Sequence, residues 1–291
     1  MVALKRFAVL AISAGLAILA GCGTSPASRP GSPVTSAPRS GTPAPSSGAP
    51  SSAAPAQSPG TAAPSAACPE AGAYLTAIRV APYGDADRIV FEFSGGLPRY
   101  EVAAVTTVYT DPKGEAVPLA GQFYLRVVFH GASAWCQQPV RKVYAGPSVL
   151  APFYPQLLVV SAAGDFERVL SFGVGVAAKG PYHVYSLAGP DRVVLDISHA
   201  VLSAFPGIWP VTSWQQYWQS QYAWNNGHQP WLASPAMVVE AWARSRWPTA
   251  PVIRQVDANT FKVTEPSGKV DTVTGVQPAA VPGPWVITSV G

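Results

Sequence analysis

Charge is scarce in this chain. Lys, Arg, Asp and Glu make up 12% of its 291 residues, about half the usual share of a globular domain, and this leaves few groups for acid–base chemistry. The formal net charge is +4, and setting Lys5 and Arg6 aside leaves a surplus too mild to suggest a nucleic-acid partner. Four histidines are present, His130, His183, His199 and His228. No two of them stand at helical or zinc-finger spacing, so no metal site is expected. Also missing are a Gly-x-Ser-x-Gly elbow, a phosphate-cradling glycine loop and a dinucleotide fingerprint, so no cofactor is expected. Glycoside hydrolysis would require two placed carboxylates; Glu240 and Glu265 exist, but nothing separates them from a solvated helix face or a turn. A Ser-His-Asp triad assembled by folding would leave no local signature. The chain is therefore read as non-enzymatic, with no catalytic residue assigned and a cryptic cell-wall hydrolase as the least favoured alternative.

Cysteine is also sparse, with Cys22, Cys68 and Cys136 alone. Lys5 and Arg6 precede an apolar run from Phe7 to Ala20, roughly 14 residues and within the signal-peptide range. That is short of the roughly 20 residues needed to span a bilayer, which argues against an uncleaved anchor. Leu19, Ala20, Gly21 and Cys22 close the run, and the segment resembles a bacterial lipoprotein signal with its lipobox. The resemblance implies that residues 1–21 are removed as a signal peptide. Cys22 would then begin the mature chain and carry a diacylglyceryl group. Two acyl chains, palmitate among them, hold a protein stably at a bilayer where one does not. The globular part would lie outside the cytoplasmic membrane, anchored to its outer face.

From residue 22 to 67 the chain is almost entirely Ser, Pro, Ala, Gly and Thr, with Arg29 and Arg39 as its charges. It lacks the aliphatic and aromatic surface that could offset the entropy of ordering it, so it reads as a disordered tether. As a flexible coil it would reach about 40 Å, and fully extended about 140 Å. Whether its Ser and Thr carry glycans is left open by composition. An exported protein sits where disulfides persist, so Cys68 and Cys136 are expected to pair, with two free thiols as the alternative. Closing that loop would stabilise the fold by about 4 kcal/mol in the chain-entropy model.

Residues 68–200 read as strands and turns. Ile89, Phe91 and Phe93 alternate with Arg88, Val90 and Glu92, and Leu125, Val127 and Phe129 repeat the pattern, the period of half-buried strands. Further strands are expected at Leu157 to Ala162, Phe166 to Val176, Tyr182 to Leu187 and Arg192 to Ser198. Turns are expected at Gly164 with Asp165, at Lys179 to Pro181 and at Gly189 to Asp191. This punctuation predicts an antiparallel β-sandwich. The run Asp87 to Ser94 is echoed by Asp191 to Ser198, each opening on Asp-Arg. An arginine and a carboxylate as cross-strand neighbours explain such a pattern structurally; the alternative is that Arg88 or Arg192 contacts a ligand.

The run Asp87 to Pro98, with Gly164 to Glu167 and Asp191 to Ile197, resembles the AMIN-like domain of bacterial lipoproteins. The resemblance implies a non-catalytic β-sandwich that binds or localises to the cell envelope, and it supplies no catalytic residues. Arginine outnumbers lysine beside abundant Ala, Pro and Gly, which points to a GC-rich genome. The C-terminal pattern is similar to those of secreted actinobacterial proteins.

Residues 201–291 change character, holding eight of the nine tryptophans. Thr212 or Ser213 can cap a helix reaching Asn225, and Ser234 before Pro235 opens a second. Strands are expected at Val252 to Val256, Phe261 to Glu265, Lys269 to Thr274 and Trp285 to Val290. Two helices on a small antiparallel sheet make an α+β domain, so the chain is mainly β. Helical spacing places Trp214, Trp218 and Trp242 in its core. The loop with His228, Gln229 and Trp231 is the expected place for a sugar, its aromatic ring stacking beside hydrogen-bonding side chains. The expected partners are thus the bilayer through Cys22, peptidoglycan or another cell-wall polysaccharide, or another envelope protein through a sheet edge or apolar patch.

Overall fold

Period-two alternation builds most of the described chain. The computed structural model describes residues 68–247, 249 and 251–291, so the leader, Cys22 and the tether lie outside the described residues. Four strands come first: β1 (Ala73–Tyr83), β2 (Ala86–Ser94), β3 (Arg99–Val105) and β4 (Phe123–His130). Short ones follow: β5 (Ala132–Ser133), β6 (Trp135–Gln137), β7 (Val140–Lys142) and β8 (Val149–Leu150). Then come β9 (Leu157–Phe166), β10 (Val169–Val176), β11 (Tyr182–Leu187) and β12 (Asp191–Ser198).

Two five-stranded sheets result, ordered β11-β12-β2-β1-β5 and β3-β4-β10-β9-β8. All their pairings are antiparallel except β1 with β5. The core lies between them. Phe91 and Phe93 come from the first sheet, Phe129 and Phe172 from the second. Their centroids are 5.0 Å apart for Phe91 with Phe129 and for Phe93 with Phe129, and 5.2 Å for Phe91 with Phe172. Burying each such ring contributes roughly 1.5–3 kcal/mol.

One buried carboxylate ties the sheets together. Asp87 on β2 has no solvent exposure, and its Oδ2 accepts the backbone N–H groups of Gln156 and Leu157 at 2.7 and 2.8 Å. Its Oδ1 lies 3.1 Å from His199 Nε2, just beyond β12. Gln156 is itself buried and donates through Nε2 to the Ala178 carbonyl. The entry of β9 is thereby fastened to β2 of the opposite sheet and to the end of β12.

The outer face of the second sheet is covered as well. In β10 the side chains of Phe172, Val174 and Val176 enter the core, and Gly173 and Gly175 fall on the other face. A Cβ on Gly173 would lie 3.0 Å from Val108 and 3.1 Å from Leu119, and one on Gly175 would collide with the Ala120 carbonyl. The two glycines let the segment between β3 and β4 lie directly on the sheet.

The C-terminal part follows the predicted order. Helix α1 (Trp214–Asn225) is capped by Ser213, whose side chain accepts from the Gln216 N–H. A 3₁₀ turn, Pro230–Ala233, precedes α2 (Pro235–Arg246), which is capped by Ser234 with proline in its first turn. The strands are β13 (Val252–Gln255), β14 (Thr260–Thr264), β15 (Val270–Val276) and β16 (Val286–Val290), in that order in one antiparallel sheet. Helix α2 lies on this sheet, with Val238, Val239 and Trp242 buried among Phe261, Val263 and Val273. Helix α1 buries Tyr217 and Trp218 in a cluster that joins Val108, Leu119 and Leu158 of the sandwich to Val286 of β16. Gln221 Oε1 accepts the Gly121 N–H at 2.7 Å, and Asn225 Nδ2 donates to the Leu119 carbonyl at 2.6 Å. Burial holds the Tyr217 hydroxyl protonated well above its ordinary range. Sandwich and C-terminal part fall in one compact unit.

One expected turn lies elsewhere. Gly164 and Asp165 continue β9 to Phe166, and the chain reverses at Glu167 and Arg168, both with positive φ. Gly164 serves close approach instead: a Cβ there would fall 2.7 Å from that of Asp111.

Asp87→Ala is expected to lower unfolding stability by about 2–5 kcal/mol, because two buried N–H groups lose their acceptor. Urea denaturation with an unchanged m-value would measure it, and a loss below about 0.5 kcal/mol would contradict this account of the sheet junction.

Candidate functional site

The five residues singled out as candidate ligand contacts occupy three separate places. Arg88 and Asp196 are direct cross-strand partners on β2 and β12. Nε and Nη2 of Arg88 reach the two carboxylate oxygens of Asp196 at 2.7 and 2.8 Å, a bidentate pair. The guanidinium also lies 3.3 Å from the Tyr83 ring centre. Those hydrogen bonds and the adjacent charge lower the Asp196 pKa and raise that of Arg88. Arg192 faces Glu92 in the same register. Its Nε donates to the Pro190 carbonyl at 3.1 Å, and Glu92 pairs with Arg79 at 2.6 Å. The echoed Asp-Arg motif is thus a pair of neighbouring strands, and only Arg88 holds its carboxylate there.

His228 and Gln229 are exposed in the loop after α1, with Gln229 in the left-handed region at φ 53°. Trp231 is half-buried, its ring 5.5 Å from that of Trp209. Trp218 and Trp242 are buried, and the other six of the eight C-terminal tryptophans are half-buried.

Trp135, the tryptophan outside that concentration, is 41% exposed. It stands at a cavity of about 480 Å³ whose lining also includes Tyr144, Lys142, Lys113, Asp165 and Phe172. Trp135 and Lys142 are cross-strand partners on the β6–β7 ribbon, and the Lys142 ammonium lies 5.9 Å from the Tyr144 ring centre. Asp165 Oδ2 is occupied by the Ala134 N–H at 2.7 Å and the Ser133 hydroxyl at 3.1 Å. Asp111, also in the lining, pairs with Arg126 at 3.0 Å. Lys113 and Lys142 are exposed, as is Glu115 across from them in the lining. An aromatic floor with a polar rim suits a ligand that presents an apolar face and hydrogen-bonding groups together.

The ribbon that carries Trp135 has only three residues in each strand and joins neither large sheet. An isolated pair of that length is marginal in water. Its support comes from behind, where Cys136, the next residue, is disulfide-bonded to Cys68 with Cα atoms 5.7 Å apart. Cys136 is fully buried against Tyr74 and Val143. Among the described residues one group of three potential metal ligands occurs, Cys68, Glu70 and Cys136. Its two sulfurs are joined to each other, and a single carboxylate remains.

None of the five predicted contacts lines this cavity. Its tryptophan stands next to Cys136, apart from the other eight.

The two-sheet β-sandwich is the part of the chain for which sequence comparison finds a family. Residues 73–199 match the family model of the AMIN-like domain, so the chain carries an AMIN-like domain there. Residues 201–291, including α1, lie outside that match. Searches of curated proteins and of solved structures found no match to the chain.

Two outcomes follow from this geometry. The folded-state pKa of Asp196 is depressed, so the stability it contributes is present above the unfolded value near 3.9 and is lost as pH falls through the lower native value. A double-mutant cycle of Arg88→Ala and Asp196→Ala should give a coupling of about 0.5–1 kcal/mol at neutral pH that shrinks toward zero in strong acid. For the ribbon, replacing Cys68 and Cys136 by serine should cost about 2–4 kcal/mol of stability. Amide hydrogen exchange should rise first in residues 135–142, and equal acceleration throughout the sandwich would show that the bridge has no local role.

Proposed function

We propose that this protein is a lipid-anchored, extracytoplasmic and non-catalytic binding module that holds cell-wall glycan in the Trp135 cavity of its AMIN-like domain. The observation that carries the reading is Trp135 itself, exposed at the mouth of a cavity backed by Tyr144 and flanked by Lys113 and Lys142. AMIN-like domains are associated with peptidoglycan binding, which supports a cell-wall partner. Lipidation at Cys22 and the tether that follows rest on the lipobox resemblance. They would place the module on the outer face of the cytoplasmic membrane, within reach of the wall.

The chemistry of recognition follows from the side chains. The indole face offers stacking to a sugar ring, whose axial hydrogens are apolar. Lys113 and Lys142 offer donors to hydroxyl, acetamido or carboxylate oxygens at the rim. The carboxylates of Asp111 and Asp165 are engaged by Arg126 and by backbone and hydroxyl donors, and so shape the walls.

The second reading, an accessory protein that binds another envelope protein, has one observation in its favour. Strand β13 is an open edge with Val252 exposed at 68%, and Val256 just beyond it is exposed as well. An edge of this kind can accept a partner strand.

The test is sedimentation of the soluble part, residues 68–291, with purified peptidoglycan. The wild type should pellet with the wall, and Trp135→Ala should weaken retention about tenfold or more, ~1.4 kcal/mol or above. Retention equal to that of an unrelated control protein would overturn the glycan reading. Loss of a crosslinked protein partner on Val252→Lys, with no glycan retention, would favour the second.

A further inference from the structure

We infer that the Trp135 cavity is one end of a longer track, and that a second cleft completed by α1 is the other end, the whole taking a linear glycan several sugars long. This rests on the reading that the Trp135 cavity takes cell-wall glycan.

The second cleft has a volume of about 410 Å³ and lies where the sandwich meets the C-terminal part. Tyr124 and Trp224 supply aromatic rings, and Thr106, Thr107 and Asn225 supply hydroxyls and an amide. Its lining holds no carboxylate, ammonium or guanidinium. Asn225 uses its Nδ2 on the Leu119 carbonyl, which leaves its carbonyl oxygen as an acceptor. Rings with uncharged donors and acceptors fit a neutral sugar. A cleft of this composition has nothing to neutralise a charged group.

The two openings are walled by one hairpin. Between β3 and β4 the chain folds back on itself, with the Val117 N–H on the Val108 carbonyl at 2.9 Å and the Thr110 N–H on the Glu115 carbonyl at 2.8 Å. Its tip, Thr110 to Glu115, lines the Trp135 cavity, whereas its base, including Thr106 to Val108, lines the second cleft. Tyr109 sits between the two stretches and is 55% exposed. Two steps of extended chain take Val108 of one lining to Thr110 of the other, about 7 Å. A ligand confined to one opening does not reach the other, but a linear polymer can cross Tyr109 and fill both.

The track is held rigid at each end, which lowers the entropic cost of binding along it. At the tip, the Asp111 N–H donates to the Ala163 carbonyl at 2.7 Å, over the surface that Gly164 leaves open. At the base, Gly173 and Gly175 seat the hairpin on β10, and the Gln221 and Asn225 side chains of α1 bind the Gly121 N–H and the Leu119 carbonyl. The C-terminal part thereby gains a role that the sandwich alone does not fill.

The test uses residues 68–291 with soluble β-1,4-linked N-acetylglucosamine oligomers of two and of six units, followed by titration calorimetry. The longer oligomer should bind about tenfold more tightly than the shorter, as expected when linked contacts act together. Tyr109→Ala, and separately Val281→Arg to fill the second cleft, should remove most of that advantage, bringing the six-unit oligomer close to the affinity of the two-unit one. Trp135→Ala should weaken both. Tyr109 is exposed and Val281 half-buried at the cleft, and circular dichroism with thermal melting would verify that each variant is folded. A length advantage that survives both Tyr109→Ala and Val281→Arg overturns the track and leaves the Trp135 cavity as a single site. Indifference of both oligomers to Trp135→Ala overturns the cavity reading itself. Failure of either oligomer to bind, with retention on whole peptidoglycan intact, overturns the track as a glycan site and leaves wall binding standing.

Discussion

A carboxylate without solvent is costly unless its oxygens find partners, and Asp87 is placed where the partners come from different layers. The N–H groups of Gln156 and Leu157 belong to the entry of β9, His199 follows β12, and Asp87 itself sits on β2. Sliding β9 against β2 would strand the charge, so the sheets have one satisfactory alignment. With β9 fixed, β10 follows by antiparallel pairing, and the two glycines of β10 fix where the next layer lies. The aromatic core fills the space that this alignment defines.

The sandwich and its C-terminal neighbour form a layered series. The first sheet faces the second across the phenylalanine cluster, the 108–120 segment lies on the outside of the second, and α1 lies on that segment. Each layer presents a surface that the following one requires. The apolar face of α1 bridges the two parts, meeting Val108, Leu119 and Leu158 on one side and Val286 of β16 on the other, while α2 covers Phe261, Val263 and Val273. Gln221 and Asn225 complete the contact by taking up the Gly121 N–H and the Leu119 carbonyl.

Local pattern was legible and non-local partnership was not. The alternation of Ile89, Phe91 and Phe93, the echo of Asp87 to Ser94 in Asp191 to Ser198, and the Ser213 and Ser234 caps are each written within a few residues. They gave the strands, the neighbouring arginine and carboxylate, and the helix starts. Gly164 misleads because its reason for being glycine is Asp111, more than fifty residues away; next to Asp165 it has the look of a turn. The tryptophans divide by burial. A small sheet with two helices needs bulky side chains to fill its core, so Trp218 and Trp242 record packing, and the aromatic at the Trp135 cavity is the isolated one. Glu167 and Arg168 gave no turn signal, since neither type favours positive φ.

The bond between Cys68 and Cys136 also determines how the molecule carries load. A pull on the chain ahead of Cys68 meets a covalent link before it meets any hydrogen bond of β1, which begins at Ala73. The force passes across to the β6–β7 ribbon, at the residue adjoining Trp135. Should Trp135 hold a partner while the N-terminal segment is under tension, the load passes through the disulfide and one peptide bond from the point of traction to the point of attachment. The strands of the sandwich, which begin at Ala73, would be spared from being unzipped one by one.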